Sequence, residues 1–271
     1  MNVRDKVALI TGAASGIGLA VANELAHRGV KALGLVDRDD NLLRVADSIN
    51  ELHKRPLAEP LIGDVTDPPF RRRSFDRLQA LFGTPSICVP AAGITRDRLA
   101  VKVDKASRKA DVYPLDDFRL VTDVNFIAPI YWALEMLARI AEDRAAKGLK
   151  RWEPHEGIQG TIIFIGSISS QGIPGQIAYS ATKAGLEGAA ATLTKEAIYH
   201  GVRSAVIHPG FTDTPMVRAL GEDYIHSKIL PYTQLRRLIQ PEEIADAIYF
   251  LICNSAVSGE LWADAGWHPS A

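Results

Sequence analysis

Seven short apolar runs recur along the chain, at residues 7–11, 32–37, 61–65, 87–91, 161–167, 204–208 and 260–264, with amphipathic stretches between them. Most are apolar at successive positions. A strand that faces water on one side alternates polar with apolar residues, whereas a strand covered by helices on both faces does not. The pattern therefore predicts seven buried parallel strands in a doubly wound sheet, the middle layer of a three-layer α/β/α fold.

Helical periodicity fills the gaps at about 17–28, 41–52, 69–81, 115–144, 179–200 and 241–253, with Gly29 and Gly201 placed as C-terminal stops. Two stretches, 96–114 and 147–160, do not fit the β–α rhythm and read as surface excursions. At 271 residues the whole chain is expected to form one domain, residues 1–271, with residues 211–240 lying over the substrate.

Thirty-one Lys and Arg against 32 Asp and Glu leave a net charge of −1, so no overall field favours nucleic acid or an anionic membrane surface. No uninterrupted apolar run approaches the roughly 20 residues of a membrane-spanning helix. Cys88 and Cys253 each sit in an apolar stretch without a nearby second ligand, as buried thiols do, and no metal site is expected. Strand-like sequence starts at Val7 and leaves no room for a signal peptide, so a cytoplasmic location is expected.

The first apolar run leads directly into Thr11-Gly12-Ala13-Ala14-Ser15-Gly16-Ile17-Gly18, and helical periodicity follows. In that context the glycines have separate functions. Gly12 permits a sharp turn, Gly16 lets the backbone approach a pyrophosphate, and Gly18 lets the helix pack closely on the strand with its free N–H groups facing the anion. The strand–turn–helix context makes the fold Rossmann-like.

Asp37 ends the second run about 20 residues later, where a carboxylate accepts hydrogen bonds from the adenosine ribose. A carboxylate there repels a 2′-phosphate, and Ala14 and Ser15 supply no basic side chain to neutralise one, so NAD(H) is preferred. Arg38 keeps NADP(H) open, because its guanidinium could pair with a phosphate if Asp37 swung aside.

Tyr179 and Lys183 are four residues apart on an expected helix and project from one face. An ordinary tyrosine, with a pKa near 10, is a poor base at neutral pH, but a neighbouring ammonium favours its phenolate. Ser167 ends the fifth run, at the strand end where ligands sit in open parallel sheets, and its hydroxyl could polarise a carbonyl.

With Gly63-Asp64-Val65, Ala92-Gly93, Asn125 and Pro209-Gly210 in the same order, the chain resembles the short-chain dehydrogenase/reductase family over nearly its whole length. The resemblance implies that Tyr179 transfers a proton, Lys183 binds the nicotinamide ribose and lowers the tyrosine pKa, Ser167 orients the carbonyl and Asn125 supports a proton-relay water. It implies that Asp64 and Val65 flank the adenine, that Ala91, Ala92 and Gly93 pass the ribose, and that Pro209, Gly210, Thr212 and Thr214 anchor the nicotinamide end. It implies a homotetramer, or failing that a dimer, built on the helices after Leu115 and Tyr179.

Pro90-Ala91 and Ala205 stand where the family commonly has asparagines, and Ser169 and Ser170 lie close enough to compete with Ser167. Among its members the chain is most like 3-oxoacyl-carrier-protein reductases. The expected activity is hydride transfer between nicotinamide and a partly hydrophobic secondary alcohol or ketone. The alternatives are an NADPH-dependent 3-oxoacyl-thioester reductase and, in another class, a non-catalytic NAD(H) sensor or scaffold. His208 is expected to be held by its strand end, without a catalytic role, and Trp262 and Trp267 to serve either subunit contacts or core packing.

Overall fold

The computed structural model describes residues 1–267. The main sheet contains seven parallel strands: β1 (Val7–Thr11), β2 (Ala32–Asp37), β3 (Ala58–Ile62), β4 (Ile87–Pro90), β7 (Gly160–Ile165), β8 (Val202–Pro209) and β9 (Gly259–Ala263). Two more strands, β5 (Val101–Val103) and β6 (Ala110–Val112), pair antiparallel as a separate hairpin. The spatial order β3-β2-β1-β4-β7-β8-β9 runs outward in both directions from the β1/β4 pair. A crevice opens beyond the carboxyl ends of β1 and β4, where strand order reverses.

Alternation within the buried strands divides the core in two. Ala8 and Ile10, Ile87 and Val89, and Ile163 and Ile165 face helices α1 (Gly16–His27), α2 (Asn41–His53) and α9 (Pro241–Cys253). Leu9, Cys88, Ile162 and Phe164 face α3 (Pro68–Phe82), α5 (Ala128–Ala146) and α6 (Ile177–Glu196). Trp132 of α5 is fully buried between Phe70 and Phe75, and its indole N–H donates to the Val65 carbonyl at 2.9 Å. Truncating such a side chain to alanine costs about 3–5 kcal/mol.

Several boundaries differ from the sequence expectation. The third strand runs over 58–62 instead of 61–65, because Glu59 and Pro60 hide its start; proline is tolerated there because β3 is an edge strand. Asp64 and Val65 therefore lie in the turn beyond it. Ser167 lies past β7, at the start of a 3-10 turn over Ile168–Gln171, and β4 ends at Pro90. The helix expected at 115–144 is α4 (Leu115–Thr122) and α5 joined by a π turn over Asp123–Ile127. Pro129 has no N–H to give the Asn125 carbonyl, and the wider turn accommodates the missing bond. The combined stretch is long and apolar enough to cross a membrane, yet Trp132, Met136 and Ile140 pack it on the sheet.

The excursion at 147–160 is tied down by Arg144, a nearly buried guanidinium that pairs with Glu156 and donates to the Lys150 carbonyl. The excursion at 96–114 carries the β5–β6 hairpin. In the stretch 211–240, Ile225, Ile229 and Leu238 turn inward on Phe211, Val217 and Leu230, while Leu220, Tyr224 and Tyr232 stay exposed. Trp267 packs edge-on to Phe211 and Tyr232, and Trp262 stacks on His208, so both serve packing within the chain.

Candidate active site

A cleft of about 420 Å³ occupies the crevice at the β1/β4 divergence. Its floor is the turn between β1 and α1. Gly12 has φ +68°, and a Cβ there would sit 2.8 Å from the Ala92 backbone. At Gly18 a Cβ would lie 2.1 Å from the Gly12 carbonyl oxygen, a contact no side chain survives. The Thr11 hydroxyl accepts from the Ala92 N–H at 3.1 Å, bracing the β1 and β4 turns where the Pro90-Ala91 sequence lacks side-chain amides.

The N-terminus of α1 is open for an anion. Ser15, its N-cap, makes no side-chain cap hydrogen bond, and the first turn carries no acidic residue. The leading N–H groups thus face the cleft without an internal partner, the arrangement that binds a pyrophosphate. Asp37, at the end of β2, accepts from the Ala14 N–H at 3.0 Å with one oxygen, and from the Arg38 and Asp39 N–H groups at 2.8 and 3.1 Å with the other. Three main-chain donors fix this carboxylate beside the exposed Arg38.

Ser15, Gly16, Ile17, Asp37, Arg38, Asp64, Val65, Ala91, Ala92, Gly93, Tyr179, Lys183 and Thr214 all line the cleft with Gly12 and Gly18. Pro209, Gly210 and Thr212 do not; Thr212 is buried and its hydroxyl donates to the Gly210 carbonyl at 3.1 Å. Met216, from the segment expected over the substrate, lines it too, and so do Gly63, Thr66, Ile94, Arg96, Leu120, Asp123 and Val124, which were not expected there. For Leu120, Asp123 and Val124 the signal was hidden by the unforeseen π turn.

Lys183 is 5 % exposed, and its ammonium donates to the Ile165 carbonyl at 2.7 Å while standing 5.5 Å from the centre of the Tyr179 ring. Burial pulls the lysine down to about 8. Burial also pushes the Tyr179 phenol up to about 12, with hydrogen bonding from Ser167 working the other way and the Asp97 charge adding to the rise. In the free protein the phenol is thus raised on balance, because loss of solvent outweighs the hydrogen bond from Ser167.

Ser167 is almost buried and its oxygen accepts from the Ser169 N–H at 3.1 Å, leaving its own proton to donate. The Ser169 hydroxyl is committed to Gln176 at 2.8 Å, and Gln176 in turn donates to Asp97. Asn125 is fully buried beneath the cleft. Its oxygen accepts from the Ile94 N–H at 2.9 Å and its amide donates to the Ile94 carbonyl at 2.8 Å. The amide braces the strand β4 exit, beside Gly93, with both ends occupied.

A glycine turn on a helix N-terminus, a ribose-height carboxylate and a Tyr–Lys pair beside a serine can hold a dinucleotide and move a proton at one end of it. Residues 6–225 match the family pattern described as short chain dehydrogenase. The chain belongs to the short-chain dehydrogenase/reductase family. It is 31 % identical over 263 residues to the 3-oxoacyl-(acyl-carrier-protein) reductase of Escherichia coli, covering 96 % of each chain. It is 31 % identical over 276 residues to the acetoacetyl-CoA reductase of Synechocystis, covering 99 % of this chain and 98 % of that one. A crystal structure of a short-chain dehydrogenase/reductase from Mycobacterium marinum superposes with a TM-score of 0.83 at 29 % identity over 99 % of this chain and 98 % of that one. This family member is an oxidoreductase that acts on alcohol and keto groups with a nicotinamide cofactor.

Proposed function

We propose that the chain reduces a partly hydrophobic ketone to a secondary alcohol, with Tyr179 as the proton donor, and runs the reverse oxidation when product accumulates. The observation that supports Tyr179 as a proton donor is its place in the cleft next to Ser167 and Lys183, where burial pushes the phenol up to about 12. The dinucleotide, held in this cleft, would supply the hydride to the carbonyl carbon. Tyr179 would give its proton to the substrate carbonyl oxygen, and the Ser167 hydroxyl would donate a hydrogen bond that polarises that carbonyl. Lys183 holds the nicotinamide ribose and steadies the phenolate left behind. Asn125 positions the Ile94 turn, a supporting role that its two bonds to Ile94 favour over direct contact with a relay water.

NAD(H) is the proposed cofactor. Asp37 is fixed by three main-chain donors and is not free to swing aside for a phosphate paired with Arg38. Ser15, Gly16, Ile17 and Gly18 would hold the pyrophosphate, Asp64 and Val65 the adenine, Ala91–Gly93 the ribose, and Thr214 the nicotinamide end, with Pro209, Gly210 and Thr212 supporting that turn from behind. The chain is assigned to the cytoplasm, where Cys88 and Cys253 stay reduced. It acts as a homotetramer whose contacts include Ile127, Tyr131 and Leu134, apolar side chains exposed in and after the π turn.

A second reading, a 3-oxoacyl thioester as the ketone, is favoured by the names of the carrier-protein and acetoacetyl-CoA reductases that match nearly the full chain. Substitution Tyr179→Phe tests both. Reduction of acetoacetyl-CoA or of a free ketone is expected to fall about 10²–10⁴-fold with dinucleotide affinity unchanged. Equal activity in the two proteins would overturn the mechanism, and no turnover by the wild-type protein would favour a binding role.

A further inference from the structure

One charged cluster lies outside the chemistry described above. His208, in β8 just before Pro209, is fully buried, and its imidazole stacks on Trp262 with ring centres 4.2 Å apart and planes 12° from parallel. Its Nδ1 lies 3.2 Å from the Ser167 carbonyl oxygen and 3.3 Å from the Ser167 N–H. Its Nε2 has no hydrogen-bond partner among the described residues. That orphaned nitrogen points between two carboxylates, Glu260 at 3.4 Å and Glu187 at 3.8 Å. The three candidate donor atoms all fall within 4.8 Å of one another.

The three residues arise from the packing of α6 on β8 and β9. His208 and Trp262 are paired across the sheet, Glu260 lies two residues before Trp262 and so on the same face, and Glu187 reaches down from α6 one turn beyond Lys183. A buried ring nitrogen between two carboxylate oxygens is unfavourable unless a proton or a metal cation lies between them, and at 3.4 and 3.8 Å both carboxylates stand beyond a good hydrogen bond to a proton on Nε2.

We propose that His208 Nε2, Glu187 and Glu260 form a binding site for a divalent transition-metal cation of the Zn²⁺ or Mn²⁺ type. An ion about 2.0–2.2 Å from each of three tetrahedral donors sets those donors about 3.3–3.6 Å apart; Nε2 stands 3.4 and 3.8 Å from the two carboxylates and all three donors lie within 4.8 Å, so the carboxylates must draw in slightly to close on the ion. One imidazole with two carboxylates suits borderline cations. The partly exposed carboxylates, at 31 % for Glu187 and 42 % for Glu260, give the ion a path in and room for water as further ligands. A cation on Nε2 requires the proton on Nδ1, and Nδ1–H then donates to the Ser167 carbonyl, the outer bond that metal-binding histidines usually make. Occupancy thus fixes the backbone beneath Ser167.

The test is Co²⁺ titration of the tag-free, full-length protein at about pH 7.5. Visible absorption and quenching of the tryptophan emission are read together. The expected result is about one Co²⁺ per chain, with quenching from Trp262 reversed by chelator, and affinity at least about tenfold weaker in Glu187→Gln and in Glu260→Gln. Thermal melts of the two glutamine variants verify their fold. No uptake by the wild-type protein overturns the proposal. Uptake unchanged in both folded variants overturns it equally.

Discussion

Replacing Lys183 with methionine separates the energetic load of this site from its chemistry. The lysine is nearly buried and titrates near 8, against an ordinary value of 10.5. That depression corresponds to about 3 kcal/mol by which the folded state disfavours the ammonium at neutral pH. The unfolded chain keeps the lysine proton up to about 10.5 and the folded protein releases it near 8, so between these values the unfolded state binds more protons. Stability of the wild-type protein therefore rises with pH through this window, by about 1.4 kcal/mol per unit at most. Methionine abolishes the slope. It also removes the hydrogen bond to the Ile165 carbonyl, a loss of about 1–3 kcal/mol. At pH 7 the variant is expected to match or exceed the wild-type stability by up to about 2 kcal/mol while losing turnover. Above pH 10 it is expected to be the less stable of the two. Urea denaturation of both proteins from pH 7 to 10.5 measures the difference, in which other titrating groups cancel. Two curves that stay parallel across that range would refute the reasoning.

Two further outcomes follow from named contacts. Substitution Asp37→Ala removes the carboxylate that would face a 2′-phosphate and leaves Arg38 in place, so the ratio of NADPH to NADH affinity is expected to rise by at least about tenfold in fluorescence titration. Because Asp37 also holds the Ala14 N–H, NADH affinity should fall in the same variant. The exposed Ile127, Tyr131 and Leu134 face predicts self-association; sedimentation at micromolar concentration should give a tetramer in the wild-type protein and smaller species in Tyr131→Glu.

The sheet was legible because burial on both faces writes itself into the sequence as unbroken apolar runs, and the glycine turn because Gly12 and Gly18 meet backbone that admits no side chain. The third strand was misplaced where edge exposure admits Glu59 and Pro60, residues that look like a loop. The 96–114 hairpin escaped because its Val101, Val103 and Val112 are exposed and bury nothing that periodicity could detect. Site identity was carried by short local spacings such as Tyr179 and Lys183. The cluster of Glu187, His208 and Glu260 comes from three elements, and no spacing within the chain announces it.

The site owes its protonation states to the same burial that builds the core. Ile165 lies at the end of β7, where the sheet stops and its carbonyl is free to take the Lys183 ammonium; Tyr179 enters from α6 over that strand end. Water is thin there, so the ammonium becomes easier to deprotonate and the phenol harder. Their values, about 8 and about 12, place a protonated tyrosine beside a lysine near its own midpoint in mildly alkaline solution. A proton donated by Tyr179 to a carbonyl oxygen leaves a phenolate that the neighbouring ammonium stabilises, and the lysine holds that charge most fully below pH 8. Reduction by this arrangement should therefore weaken as pH rises through 8, since the group that stabilises the phenolate loses its proton before the phenol does.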